Sequence, residues 1–249
     1  MTLQTPYDQL SELRLSAFRE VLRDQQTNPQ YNDLIFEDRP FLLEETEYAQ
    51  RREKRIRRNI HIANFPMQVC LEDLDFSPSC GLDRRFILKP GQCGWIASHQ
   101  NVLIFGPTGC GKSYLASAFG VASACNRFSV RYQRTSRLLH TLALARQDCS
   151  LSNLMRSLAK TDLLILHDWM RDAITIQNAQ DILEVMDDRF GHASTLIASQ
   201  VPISNWHFRI PNPTLADAIL DRIVHNAHHI QLEGESQRKL RAQRSMPNT

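Results

Sequence analysis

NVLIFGPTGCGKSYLASAFG, residues 101–120, runs from an apolar strand through the glycine-rich pattern G-x-x-x-x-G-K-S into a helical stretch. That succession is the context in which such a loop cradles phosphate. Gly106, Gly109 and Gly111 permit backbone conformations that turn successive N–H groups inward, and the start of the following helix adds favourable partial charge. The expected ATP-binding set is therefore Gly106, Pro107, Thr108, Gly109, Cys110, Gly111, Lys112 and Ser113, with Tyr114 after them. Lys112 is expected to reach the outer phosphates and the Ser113 hydroxyl to bind Mg2+.

Outward from this loop, short apolar runs alternate with helical patterns, the signature of a parallel sheet covered by helices. Strands are predicted at 102–105, 130–133, 163–166, 195–198 and 229–232. Helices are predicted at 112–124, 136–146, 151–159, 177–190 and 215–224. The fold class that follows is a three-layer α/β domain with a parallel central sheet, expected over residues 67–240. Residues 66–100 read as an irregular hinge into it, and 241–249 as a polar tail.

The first 66 residues have a different character and are expected to form a small all-helical domain. Leu10, Leu13, Ala17 and Val21 fall at the spacing of one helix face, with Asp8 or Ser11 as its cap. After a polar break at 28–33, Pro40 suits the first turn of a second helix, with Glu44, Glu45 and Glu47 near its positive end. That helix is expected to run to about Ala63 and carries RREKRIRR, residues 51–58.

Bulk properties exclude several classes. The 249 residues carry a net charge of +2, with 42% hydrophobic and 22% charged residues, an ordinary globular balance. No apolar run is long enough to cross a bilayer, and no basic patch leads into an apolar stretch at the N-terminus, so a cytoplasmic protein without membrane partners is expected. The six cysteines lie too far apart for C-x-x-C and are expected as free thiols, mostly packed. His225, His228 and His229 lack the spacing of a zinc site and read as structural.

An acidic strand end is the second requirement for ATP hydrolysis. DLLILHDW, residues 162–169, supplies a buried strand ending in His167 and Asp168. With this segment in place the chain resembles the IstB-like, DnaC-related ATPases of the AAA+ superfamily, helpers of insertion-sequence transposition. The matching stretches are GLDRR at 81–85, NVLIFGPTGCGKS at 101–113, DLLIL-DW at 162–169, ASQVP at 198–202, NPTLADAILDRIVHNAH at 212–228 and GES-R at 234–238.

The resemblance spans nearly the whole chain and implies an AAA+ P-loop NTPase with ATP and Mg2+ as cofactors. It implies Asp168 as the residue that activates water and joins Ser113 at the metal. Ser199 and Gln200 fall where a polar group senses the γ-phosphate, and Gln200 is the expected catalytic member of the pair. Arg222 matches the position of an arginine finger acting in trans on a neighbouring subunit. The rival reading for Arg222 is an ion pair with Asp217, Asp221 or another carboxylate of its own chain. Arg238 matches a second sensor arginine that contacts ATP. Family members usually end this strand with two acidic residues, whereas the first here is His167. A neutral imidazole suits Mg2+ poorly, so slow hydrolysis is expected.

A run of charge is ordinarily a solvated helix face. Combined with the resemblance, Arg51, Arg52, Lys54, Arg55, Arg57 and Arg58 are expected to contact duplex DNA phosphates, while Ile56 and Ile60 keep an apolar stripe. The implied function is an ATP-dependent regulator of transposition that assembles with copies of itself on duplex DNA and recruits or activates a cognate transposase. The alternatives are a DnaC-like helicase loader and a nucleotide-binding scaffold whose hydrolysis is negligible because of His167.

Overall fold

In the computed structural model, residues 4–67, 69–73 and 93–233 are described. The chain divides into two compact units, Met1–Arg58 and Asn59–Thr249. The division falls inside a helix and eight residues before the Pro66 boundary expected from sequence.

The first unit contains α1 (Gln4–Glu12), α2 (Ser16–Thr27) and most of α3 (Asp38–Ala63), with a 3-10 turn at Pro29–Tyr31. The single helix expected through Leu10 and Val21 is two helices. Arg14 takes a left-handed conformation (φ 59°), and the Leu15 N–H returns to the Leu10 carbonyl at 2.9 Å, which closes α1 in a Schellman-type turn. Leu13, assigned to the buried stripe, is 66% exposed, and Asp8 and Ser11 lie within α1 rather than before it.

α2 has Leu15 at its cap position and so no capping side chain of its own. Glu47 of α3 supplies the missing acceptor. Its Oε2 takes the N–H groups of Ala17 (2.9 Å) and Phe18 (3.1 Å), and its Oε1 takes Arg51 Nε (2.7 Å). The carboxylate is only 6% exposed. Burial by itself would raise its pKa, but the bonds from Arg51, Phe18 and Ala17 outweigh burial and leave it lowered.

The second unit is built on a five-stranded, wholly parallel sheet. Its strands are β1 (Asn101–Phe105), β2 (Val130–Arg134), β3 (Leu163–His167), β4 (Ser194–Ser199) and β5 (Ala227–Gln231), in the order β2-β3-β4-β1-β5. Each predicted strand is present, the last beginning two residues and ending one residue earlier than expected. The connections are α4 (Lys112–Cys125), α5 (Thr135–Gln147), α6 (Leu151–Ala159), α7 (Ile176–Arg189) and α8 (Pro213–Val224).

Alternation along the strands feeds two cores. Val102, Ile104, Val130, Leu163, Ile165 and Leu196 face α4. Leu103, Leu164, Leu166 and Ile197 face the layer containing α5 to α8. Both faces are thus covered, which is why the strands read as continuous apolar runs. The end of α3 belongs to this unit: Ile60 and Ala63 join the α4 core, and Asn59 Nδ2 donates to the Phe128 carbonyl at 3.3 Å. Gly120 allows α4 to approach closely, since a β-carbon there would lie 2.3 Å from the Phe65 ring and 2.8 Å from Ile165.

Of the described cysteines, Cys93 and Cys110 are buried while Cys70, Cys125 and Cys149 are exposed, so the expectation of mostly packed thiols fails. All three lie at helix ends: Cys70 before the 3-10 turn Leu71–Asp73, Cys125 as the last residue of α4, and Cys149 between α5 and α6. Cys80, Arg238, the GLDRR segment, the GES-R segment and the 241–249 tail lie outside the described residues. No helix among the described residues is long and apolar enough to cross a membrane.

Glu47→Ala removes the α2 cap and the Arg51 partner together. Chemical denaturation should show the first unit destabilised by roughly 1–2 kcal/mol. Because the folded-state pKa is lowered, Glu47's contribution is complete above the ordinary carboxylate pKa and is lost as pH falls through the folded value. The gap between wild type and Glu47→Ala should therefore narrow in acid.

Candidate functional site

Residues 106–113 leave the carboxyl end of β1, the strand that lies between β4 and β5, where ligands of open parallel sheets bind. The glycine conformations are demanded here. Gly106 has φ +155°, and a β-carbon on it would sit 2.3 Å from the Leu232 carbonyl oxygen. Its N–H donates to Ser199 O (3.3 Å), and Leu232 N–H donates to Phe105 O (2.8 Å), so the loop starts clamped from both sides. Gly109 (φ +89°) and Gly111 (φ +101°) are left-handed. Gly111 stands at the N-cap of α4 without a side-chain cap, so the first N–H groups of that helix remain available to an anion.

Lys112 is 9% exposed, and its ammonium donates to the carbonyls of Gly106 (2.7 Å) and Pro107 (2.6 Å). The loop wraps its own cation where an outer phosphate would take over from those carbonyls. This arrangement fits a triphosphate. Thr108 Oγ1 donates to Gln200 Oε1 at 2.7 Å, which ties the exposed loop tip to the residue after β4.

The two polar residues after β4 separate into different roles. Ser199 is fully buried; its hydroxyl donates to Trp169 O (2.8 Å) and accepts Val201 N–H (3.0 Å). It fastens the turn after β3 to the turn after β4. Gln200 is exposed and faces the loop through Thr108.

β3 ends on His167, whose ring is stacked on Tyr132 with centroids 6.1 Å apart. Nε2 lies 2.6 Å from Ser113 Oγ, and Nδ1 lies 3.0 Å from Asp168 Oδ1. The His167 carbonyl accepts Thr135 Oγ1 at 3.2 Å. Burial depresses the imidazole pKa; Asp168 opposes that, while Lys112 and Arg134 add to it. The balance favours the neutral ring. Asp168 is left-handed (φ 57°), and its Oδ2 faces Arg171 at 3.4 Å and Arg134 at 3.8 Å. Arg134 has no signal in the sequence that joins it to Asp168, because its position at the end of β2 meets β3 only through the strand pairing.

Arg222 lies elsewhere. Asn101, the first residue of β1, donates to the carbonyls of Arg222 (3.1 Å) and Ile223 (3.2 Å), so Arg222 sits at the amino edge of the sheet. The phosphate loop is at the carboxyl edge, about 13 Å away along a five-residue strand. The guanidinium pairs with Asp187 of α7 and donates to Ala218 O (2.8 Å). Nearby Arg189, which unlike the half-buried Arg222 is fully buried, bonds the carbonyls of Leu158, Thr161 and Ser194 and is held down to a pKa of about 10 by burial.

His225, His228 and His229 each have a protein neighbour, and His225 is largely exposed. His228 Nε2 lies 2.9 Å from Gln100 Oε1, His225 pairs with Asp221 at 3.4 Å, and His229 packs edge-on to Phe105. Among the described residues no group of three or more His, Cys, Asp or Glu side chains could hold a metal.

In the first unit, Arg51, Arg52, Lys54, Arg55, Arg57 and Arg58 are all exposed on α3. Three have acidic or amide partners one turn back: Arg51 with Glu47, Lys54 with Gln50 (2.8 Å) and Arg57 with Glu53 (2.5 Å).

A glycine loop clamped at the end of a central parallel strand, an uncapped helix start and a buried lysine define a P-loop nucleotide-binding protein of the α/β class. The model of the IstB-like ATP binding protein family matches residues 8–245, and the chain belongs to that family. It is 40% identical over 238 residues to the insertion sequence ATP-binding protein y4pL of Sinorhizobium fredii, covering 96% of this chain and 97% of that one. It is 40% identical over 205 residues to the ATP-binding protein of insertion sequence IS1162 from Pseudomonas fluorescens, covering 82% and 89%. Among solved structures, the DnaC helicase loader superposes with a TM-score of 0.54 at 14% identity, over 69% of this chain and 97% of the loader. That likeness shows a shared three-layer α/β fold.

The separate roles of Ser199 and Gln200 are testable by stability. Ser199→Ala orphans a buried N–H and a buried carbonyl and should cost about 1–3 kcal/mol in denaturant unfolding. Gln200→Ala, at an exposed position, should stay within about 0.5 kcal/mol of wild type.

Proposed function

We propose that this protein is an ATP-dependent, DNA-binding regulator of transposition. It assembles with copies of itself on duplex DNA, presents or activates a transposase, and is reset by ATP hydrolysis. The observation that carries the reading is the clamped phosphate loop in a chain related along nearly its whole length to ATP-binding proteins of insertion sequences. The helicase-loader alternative has support from fold likeness alone, at much lower identity.

In this reading Gly106 to Ser113 and Tyr114 hold ATP, with Lys112 on the outer phosphates. A divalent cation accompanies the nucleotide, Mg2+ in the ordinary P-loop case, and neutralises charge on the phosphates. Ser113 is its protein ligand, joined by Asp168 in the arrangement expected from sequence. Asp168 and Gln200 handle the attacking water, and Arg238 contacts the nucleotide. Arg222 faces the wrong edge of the sheet to serve its own nucleotide, which supports a trans role at a subunit junction. Its pairing with Asp187 must then open on assembly.

Slow hydrolysis is supported by His167, which stands between Ser113 and Asp168 where family members carry an acid. The scaffold reading with negligible hydrolysis rests on the same contact. A steady-state ATPase assay with and without DNA separates the two.

Lys112→Ala should abolish binding of a fluorescent ATP analogue, and unchanged affinity would remove the nucleotide site. Mixed with Arg222→Ala subunits, it should recover part of the ATPase activity that each variant lacks alone; no recovery at any mixing ratio would rule out a finger in trans.

Arg51, Arg52, Lys54, Arg55, Arg57 and Arg58 supply sequence-independent phosphate contacts. Replacing Arg52, Arg55 and Arg58 with Gln should weaken duplex DNA binding and flatten its dependence on salt by roughly one unit of log–log slope for each phosphate no longer neutralised. An unaltered isotherm would place the DNA on another surface.

A further inference from the structure

The junction of Ser113, His167 and Asp168 has a directional order that fixes which nitrogen of the imidazole carries the proton. A carboxylate only accepts hydrogen bonds, so the contact at 3.0 Å with Asp168 Oδ1 assigns the donor role to Nδ1. Nε2 is left with its lone pair aimed at Ser113 Oγ, 2.6 Å away. Ser113 is the position through which a P-loop holds the nucleotide's cation. A carboxylate bonded to one ring nitrogen, with the other nitrogen facing the ion, is the usual support of a metal-ligating histidine. Tyr132 stacked on the ring and Thr135 on the His167 carbonyl restrict its reorientation further.

Mg2+ demands oxygen donors and gives up its waters reluctantly. The side chains that face the cation position are one hydroxyl and one imidazole nitrogen, and the nearest carboxylate is turned onto the imidazole with its other oxygen toward Arg171 and Arg134. These residues fit Mg2+ poorly. Imidazole nitrogen suits first-row transition ions, whose affinity for such sites rises from Mn2+ to Co2+ and beyond.

We infer that His167 Nε2, together with Ser113 Oγ, is a direct ligand of the divalent cation that accompanies ATP, so that the site favours Mn2+ and Co2+ over Mg2+. Asp168 is then a positioning residue for the imidazole. The inference rests on the reading of residues 106–113 as an ATP site, and it replaces the expected Asp168 ligand with His167.

The test uses the full-length protein and a non-hydrolysable fluorescent ATP analogue titrated in EDTA, Mg2+, Mn2+ and Co2+. Wild type should bind the analogue about tenfold or more tightly with Mn2+ or Co2+ than with Mg2+. Pulsed electron paramagnetic resonance of the Mn2+–nucleotide complex should show a directly bound nitrogen-14. His167→Asp should abolish the nitrogen signal and bring the Mg2+ affinity level with Mn2+; His167→Asn, which adds no charge, should lose the signal as well. Equal affinities with Mg2+ and Mn2+ in wild type, or a Mn2+ complex without nitrogen coupling, would overturn the inference while leaving the ATP site intact. Failure to bind nucleotide with every ion would overturn the ATP-site reading and the inference with it.

Discussion

β1 has a hydrogen-bonded neighbour on each side and a packed layer on each face, and everything at the phosphate site follows from how such a strand ends. Phe105 is paired with Ser199 on one side and Gln231 on the other, so the next residue has no room for a side chain. Only glycine can stand at 106, against the Leu232 carbonyl. The backbone must then turn sharply, its N–H groups converge, and α4 begins where they point. The burial of a central strand thus dictates the geometry of a surface loop.

The same sheet order explains how residues more than fifty positions apart meet. Parallel pairing aligns the carboxyl ends of β3, β4 and β1, so His167, the Ser199–Gln200 pair and the loop share one edge. Charge at that edge is finely divided. The Lys112 ammonium is hydrogen-bonded to backbone carbonyls, burial favours the neutral imidazole, and Asp168 lies between a ring nitrogen and two arginines. The Asp168 carboxylate is turned toward the imidazole and the two arginines, and it is the imidazole that meets Ser113.

Conformational specificity in the first unit rests on a different device. α2 lacks a capping residue, and a buried glutamate one helix away completes it while anchoring Arg51. One member of the basic run is therefore partly structural. Partners also tie up Lys54 and Arg57, which leaves Arg52, Arg55 and Arg58 as the better candidates for phosphate contacts. The family relationship extends over this unit as well as the α/β unit, whereas the solved loader structure matches 69% of the chain.

Periodicity alone located all five strands, the helices between them and the phosphate loop, because a sheet buried on both faces forces continuous apolar runs and a phosphate cradle forces glycines at fixed offsets. It misread the start of the chain as one helix, since a left-handed Arg14 carries no signal in an apolar pattern. It placed the thiols wrongly for a related reason: cysteine is chemically at ease both in a core and at a helix end. The sequence named Ser113, His167, Asp168, Gln200 and Arg222 as separate candidates. Only the tertiary structure decided that Ser113, His167 and Asp168 lie in one chain of contacts, that Gln200 reaches the loop through Thr108, and that Arg222 stands at the far edge of the sheet. Those relations depend on strand order and side-chain orientation, which are set by contacts between segments distant in the chain and leave no trace in local spacing.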